Sequence, residues 1–327
     1  MDGSGNDHRP LVLIHRDPTF NLPLFNQLTA HFRLLDPHVD SPGEPVESFL
    51  STHARFVRAM VCVGYTAVTE ATLELLPSLE LVVGTSAGVD KIDLAACHRR
   101  GVVVTNASAA FKEDTADYGV ALLLDVMRRI SASDRYVRRG DWLAKGDYPL
   151  GFKLGGKQVG IIGLGSIGSE VAKRLLGFGC RIVYTARNGK PSVPYQFYAN
   201  VCDMAKDSDV LVACCSLTEQ TRHIINKDVL TALGEEGVVI NIGRGALVDE
   251  KELVRFLVQG KIGGAGLDVF ENEPNVPGEL FTLDNVVLSP HAAVVTPEAL
   301  KAVGDLVLSN LLAFYSNKPL QSIVQMD

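Results

Sequence analysis

Short apolar runs alternate with amphipathic stretches along the first hundred residues. Leu11-Val12-Leu13-Ile14-His15 predicts a strand, followed by a helical pattern around Leu22 to Ala30 and a strand-like Phe32-Arg33-Leu34-Leu35. A Pro/Gly break at Pro42-Gly43-Glu44-Pro45 precedes a helix from about Val46 and the strand Met60-Val61-Cys62-Val63. Helix Thr69 to Leu76, strand Leu81-Val82-Val83-Gly84, helix Asp90 to Arg100 and strand Val102-Val103-Val104-Thr105 continue the alternation. Strands that alternate with helices predict a parallel sheet covered on both faces.

From Glu113 to Arg139 the period becomes that of one long helix with Val120, Leu123, Leu124 and Met127 on its apolar face, a natural linker between two halves. Gly140-Asp141-Trp142 ends it, and Gly146 to Gly156 reads as loop. A second alternating series begins at Val159-Gly160-Ile161-Ile162. Its further strands are Ile182-Val183-Tyr184, Val210 to Cys214, Val238-Val239-Ile240-Asn241, Gly266-Leu267-Asp268-Val269 and Val286-Val287-Leu288-Ser289, the strand count of a doubly wound nucleotide domain. Thr296-Pro297-Glu298, a capping residue with proline at the first helical position, opens a last helix to about Asn317. Its apolar face (Leu300, Val303, Val307, Leu311, Phe314) needs a partner, and a return to the first domain would supply one.

A chain of 327 residues is long enough for two cores, and 46% hydrophobic with 21% charged residues is globular. The formal charge of -7 argues against a nucleic-acid partner. Apolar runs such as Val120 to Leu124 are too short to span a bilayer, so no membrane partner is expected. The polar start Met1-Asp2-Gly3-Ser4-Gly5-Asn6-Asp7 carries no signal or transit pattern, and Ile323 to Asp327 is no peroxisomal tripeptide. Six cysteines without C-x-x-C spacing suggest neither a metal site nor disulfides, but reduced thiols of a cytoplasmic protein.

Gly163-Leu164-Gly165-Ser166-Ile167-Gly168 follows the first strand of the second series as a G-x-G-x-x-G turn. Taken alone it also fits an ordinary strand-helix junction; in this context it predicts a dinucleotide pyrophosphate on the helix N-terminus. An NAD site places a carboxylate some 20 residues further on, at the end of the second strand. Between Glu170 and Asp203 there is none, and Tyr184-Thr185-Ala186-Arg187-Asn188-Gly189-Lys190 offers positive charge instead. Arg187 suits a 2′-phosphate, which predicts NADPH ahead of NADH; the alternative is a solvated loop arginine.

Three later segments put polar residues where strands should end: Asn241-Ile242-Gly243-Arg244-Gly245, Asp268 through Glu273-Pro274, and Ser289-Pro290-His291-Ala292-Ala293. Arginine grips a substrate carboxylate in bidentate fashion, and histidine, with an unperturbed pKa of ~6.5, donates a proton to a ketone oxygen as hydride arrives. A neighbouring carboxylate favours the protonated imidazole. Singly, each has a bland reading, as turn charge, loop histidine or cap; together they suit reduction of a 2-oxo acid.

With these motifs, and with Leu217-Thr218-Glu219-Gln220-Thr221-Arg222, the chain resembles the D-2-hydroxyacid dehydrogenase family over nearly its whole length, most closely its plant hydroxyphenylpyruvate and hydroxypyruvate/glyoxylate reductases. The resemblance implies an α/β fold of two doubly wound parallel-sheet domains. A Rossmann NAD(P)-binding domain (108–291) would be inserted into a flavodoxin-like substrate-binding domain (1–107 with 292–327). It further implies that Arg244 binds substrate, His291 donates the proton and Glu273 tunes His291. Cofactor contacts would come from residues 163–168, Ala186, Arg187, Asn188, Thr221, Ile242, Gly243, Arg244 and Asp268, the last facing the nicotinamide amide. Backbone amides around Ala87 and Gly88 would hold the substrate carboxylate.

Trp142 matches a position that reaches a neighbouring subunit's site in related reductases, which implies a homodimer; a core tryptophan at a helix end is the other reading. The chain departs from the family pattern at Ala186 (usually Ser), at Ala87-Gly88 (usually Val-Gly) and at Ala292-Ala293-Val294 after the histidine. These changes flank cofactor and substrate, so substrate choice stays open among glyoxylate, hydroxypyruvate and hydroxyphenylpyruvate. A cofactor-sensing module, like the related corepressors, is the alternative function.

Overall fold

A computed structural model describes residues 8–19, 24–64 and 66–325. The polar start, the first two residues of the helix expected from Leu22, and the last two residues lie outside the described residues. The chain divides into two compact units, with boundaries at Phe111/Lys112 and Val295/Thr296.

The first unit is built on β1 (Leu11–His15), β2 (Arg33–Leu35), β3 (Ala59–Cys62), β4 (Leu81–Gly84) and β5 (Val103–Thr105), all parallel in the order β2-β1-β3-β4-β5. That is the flavodoxin-like order. β3 and β4 are buried throughout, with Met60 registered against Val82 and Val61 against Val83. Apolar residues on successive positions therefore face covered surfaces on both sides. The helix Pro297–Tyr315 belongs to this unit. Thr296 caps it through the Ala299 N–H, Val303, Val307 and Leu311 are buried, and the Tyr315 hydroxyl donates to the Leu11 carbonyl at 2.7 Å. Its apolar face packs against the helix Leu24–Leu28 and β4.

The helix expected over Asp90 to Arg100 is shorter, Leu94–Arg99. Ile92 is held in a bridge to Val68, and Asp93 caps the helix by accepting from the Ala96 N–H.

The second unit carries β6 (Gln158–Ile162), β7 (Arg181–Thr185), β8 (Gln196–Phe197), β9 (Val210–Ala213), β10 (Val238–Asn241), β11 (Gly264–Leu267) and β12 (Val286–Leu288). They are parallel in the order β12-β11-β10-β9-β6-β7-β8. The order reverses between β6 and β9, the switch point at whose carboxyl side ligands bind in open α/β sheets.

Three expectations are corrected. The single helix over Glu113 to Arg139 is two, Ser108–Arg128 and Ile130–Arg138. Arg129 between them is left-handed (φ 56), and Asp125 caps the second helix by accepting from the Ser131 N–H at 2.7 Å. Trp142 does not end the helix in loop but sits in a further short helix, Asp141–Lys145, after a left-handed Gly140. β11 begins two residues earlier than expected, because Gly264 and Gly266 allow close approach of Val126 and Leu122 from the helix Ser108–Arg128. Asp268 thus emerges just beyond the strand end. β8 and the helices Val201–Lys206, Lys227–Leu233 and Glu250–Val258 are further elements that the expected series did not include, although Leu253, Phe256 and Leu257 of the last stand at helical spacing on its buried face.

Candidate active site

The glycine turn after β6 uses each glycine differently. Gly163 has φ 98, and a Cβ there would lie 2.6 Å from Cys215. A Cβ on Gly168 would lie 2.2 Å from the Gly163 carbonyl, so the helix Ser166–Gly177 can close on the turn only with glycine at that place. A Cβ on Gly165 would meet nothing within 4 Å. That open space faces a helix whose N-cap has no side-chain hydrogen bond, leaving backbone N–H groups for an anion. A dinucleotide pyrophosphate fits this cradle. Burial pushes the adjoining Cys215 thiol up to about 11, so it is a neutral wall of the turn at physiological pH.

Beyond β7, Ala186, Arg187 and Asn188 form an exposed bend, with Ala186 partly covered. Lys190 anchors this bend: its ammonium donates to the Leu164 carbonyl at 2.5 Å and its N–H to the Tyr184 hydroxyl at 2.6 Å. The Arg187 turn is thereby fixed to the glycine turn, although the two are far apart in sequence.

Past β10, the buried Asn241 shapes the arginine turn. Its amide donates to the Arg244 carbonyl at 2.8 Å and its oxygen accepts from the Gly243 N–H at 3.1 Å. Arg244 itself is extended (φ -141, ψ 143), and its Nη1 donates to the Gly243 carbonyl at 2.8 Å. Gly245 must be glycine: a Cβ would fall 1.9 Å from the Phe270 carbonyl carbon. Through this contact the arginine turn presses directly on the loop that carries Glu273.

That loop and the segment after β12 form the acid–base pair. His291 Nδ1 lies 2.9 Å and 3.2 Å from the two Glu273 oxygens. An ionised carboxylate only accepts, so Nδ1 carries the hydrogen. Burial alone would raise the Glu273 carboxyl, but hydrogen bonds from His291 and the Phe270 N–H, with the charges of His291 and Arg244, hold it below the usual range. Arg244 is therefore close enough to act on Glu273 electrostatically.

His291 stands in the left-handed region (φ 53), uncommon for a side chain of its size and typical of functional sites. Asp268, only 1% exposed, enforces it. Its carbonyl accepts from the His291 N–H at 2.8 Å. Its carboxylate accepts from the Ser289 hydroxyl (2.6 Å), the Ala292 N–H (2.8 Å) and the Ala293 N–H (3.1 Å). Beside the nicotinamide contact expected of it, Asp268 braces the histidine segment. Buried-type polar residues at consecutive strand ends (Asn241, Asp268, Ser289) were the available signal for these braces.

The other expected site residues fall as follows. Ile242 is buried against Gly119, so its side chain serves the core. A Cβ on Gly243 would strike Leu247 at 2.7 Å. Thr221 donates to the Ser216 carbonyl at 2.8 Å in the loop after β9. Trp142 is 65% exposed, which removes the core reading. In the first unit, Ala87 and Gly88 follow β4, where the Asn106 amide donates to the Ala87 carbonyl at 3.2 Å. Among the described residues, no group of three His, Cys, Asp or Glu is arranged to hold a metal. None of the helices searched is long and apolar enough to cross a membrane, among the described residues.

A Rossmann strand order, a pyrophosphate-shaped glycine turn and an Arg, Glu and His gathered at the ends of β10 to β12 define a nicotinamide-dependent oxidoreductase. Residues 120–293 match the family described as D-isomer specific 2-hydroxyacid dehydrogenase, NAD binding domain, and the chain belongs to that family. It is 56% identical over 318 residues to a glyoxylate/hydroxypyruvate reductase of Arabidopsis thaliana, covering 97% of this chain and 98% of the relative. It is 50% identical over 272 residues to the hydroxyphenylpyruvate reductase of Plectranthus scutellarioides, covering 83% and 87%. Among solved structures, the NADPH-dependent glyoxylate/hydroxypyruvate reductase of Sinorhizobium meliloti with NADP and malonate superposes with a TM-score of 0.88 at 35% identity, covering 97% of each chain.

Proposed function

We propose that the protein is an NADPH-preferring reductase that converts glyoxylate, hydroxypyruvate or hydroxyphenylpyruvate to the corresponding 2-hydroxy acid, of D configuration where the product is chiral. The observation that carries this is the His291–Glu273 pair beside Arg244, on loops at the carboxyl ends of a dinucleotide-type sheet. The relatives named above support it, being reductases of these same acids. They give no support to a cofactor-sensing corepressor.

The residues of the glycine turn and the helix N-terminus beyond it would hold the pyrophosphate, Arg187 with Asn188 the 2′-phosphate, and Thr221, Gly243 and the Ile242 backbone the remainder. When bound, NADPH supplies the hydride. Arg244 grips the substrate carboxylate and keeps the C2 carbonyl oriented. His291 delivers its proton from Nε2 to the carbonyl oxygen while Glu273 holds Nδ1. Asp268 keeps the histidine segment in place.

The test is absorbance-monitored NADPH and NADH oxidation with the three acids. Turnover of at least one, with NADPH giving the larger kcat/KM, is expected. Tight NADPH binding with no turnover overturns the enzyme reading. In Arg187→Glu, kcat/KM for NADPH should fall about 10-fold or more, as expected for losing a charge-assisted bond worth roughly 1.5–3 kcal/mol, while NADH is nearly unaffected. Equal loss with both cofactors would place Arg187 outside the 2′-phosphate site.

We further assign a homodimer and a cytoplasmic location. Leu143, next to Trp142 in sequence, and Leu150 are 97% and 93% exposed, and Ile130 and Val137 are also uncovered; large apolar side chains left in solvent support an interface. Leu143→Asp combined with Leu150→Asp should halve the mass measured by light scattering; an unchanged mass would move the interface elsewhere. Six cysteines without disulfides suit a reducing compartment.

A further inference from the structure

Two histidines of the second unit share one unusual geometry. His223 and His291 both have φ 53, and each meets a glutamate of the same short loop, Glu271 and Glu273 respectively. His291–Glu273 is the acid–base pair; His223–Glu271 has no role in that chemistry.

The connections of His223 lead to both halves of the site. Its main-chain N–H donates to the Ala246 carbonyl at 2.8 Å, two residues after Arg244. The pairing continues as the Ile225 N–H donates to Leu247 (3.0 Å) and the Asp249 N–H to Ile225 (2.9 Å). The segment after Thr221 is thus laced to the arginine turn. Its imidazole Nε2 meets the Glu271 carboxylate. The Glu271 N–H in turn donates to Glu250, at 3.1 Å, the first residue of the helix that follows the arginine turn. Three segments close on one cluster, at the place where Gly245 already forces turn and loop together.

The charges explain why a histidine is suited to this cluster. Glu250, Glu271 and Glu273 lie close together, and Glu250 is pushed up by burial and then by the charges of the other two. Arg244 and His291 offset Glu273. The imidazole N–H of His223 holds Glu271 on the opposite side.

We propose that His223 and Glu271 are a positioning pair that keeps the Arg244 turn and the Glu273 loop in register, so that the substrate carboxylate and the proton donor are presented together. The proposal rests on the reading of Arg244 and His291 as 2-oxo acid machinery. The pair is only half-buried, and a solvent-accessible ion pair contributes little to stability, so the effect belongs in turnover rather than in the melting temperature.

The test compares the full-length wild type with His223→Ala and His223→Gln. It reads kcat/KM for hydroxypyruvate, NADPH affinity by fluorescence, and the downfield proton resonance of His291 Nδ1. In His223→Ala, kcat/KM should fall roughly 10-fold or more and the His291 resonance should shift or broaden, with NADPH affinity within about twofold. His223→Gln, whose amide can still donate to Glu271, should recover most of both signals. An alanine variant with unaltered kcat/KM and resonance overturns the proposal, as does a glutamine variant no better than alanine. If the wild type reduces no 2-oxo acid, the functional reading fails by itself, and the resonance comparison still decides whether His223 positions the Glu273 loop.

Discussion

Replacing His291 with alanine should lower kcat by about 10²–10⁴-fold while leaving NADPH affinity nearly unchanged. The proton donor is lost, but the glycine turn that holds the cofactor belongs to a different segment, after β6. Glu273→Gln should give a smaller loss, because the imidazole keeps a hydrogen-bond partner but loses a charged one. The pH dependence of this contact has a definite sign. The Glu273 carboxyl is held below its ordinary value of 4.5, so the pairing contributes fully above that value and fades only as pH falls through the lowered one. Thermal denaturation from pH 7 down to pH 3 should therefore show a stability difference between wild type and Glu273→Gln that shrinks at the acid end alone. Loss of NADPH binding in His291→Ala would mean that the segment after β12 builds the cofactor site instead.

Arg244→Gln should cost roughly 10²–10³-fold in kcat/KM for the 2-oxo acid, the scale of about 3–4 kcal/mol for removing one partner of a desolvated charge pair. Arg244→Lys should recover only part, since an ammonium cannot form the two parallel bonds of a guanidinium to a carboxylate. The side-chain tether to the Gly243 carbonyl and the Asn241 brace on its backbone fix where the guanidinium starts from. Steady-state kinetics with the acid varied at saturating NADPH measures this directly. A loss confined to the KM for NADPH would reassign Arg244 to the cofactor.

What the sequence made legible follows from how local each demand is. The turn at Gly163, Gly165 and Gly168 was readable because each glycine answers a nearby backbone requirement, and the absent acid beyond Tyr184 was readable because strand length sets its place. The Arg244, Glu273 and His291 set was readable because strand ends can be counted. The break at Arg129 was hidden: apolar spacing runs through it, and only the Asp125 side chain reaching Ser131 starts a new helix. β11 was displaced because its glycines answer to Val126, Leu122 and Asn285, which are distant in sequence. The bracing role of Asp268 was hidden because its carboxylate meets donors more than twenty residues away. His223 and Glu271 form a contact between two loops, and neither segment alone announces it.

The central claim is a hydride from NADPH to C2 of a 2-oxo acid with the proton supplied through His291. Reduction of hydroxypyruvate with NADPH deuterated at the transferable C4 position, followed by mass spectrometry and chiral chromatography of the product, measures it most directly. Glycerate of D configuration carrying one deuterium at C2 is expected, formed by the wild type and essentially absent with His291→Ala. Product of L configuration, product without deuterium, or undiminished product from His291→Ala would contradict it.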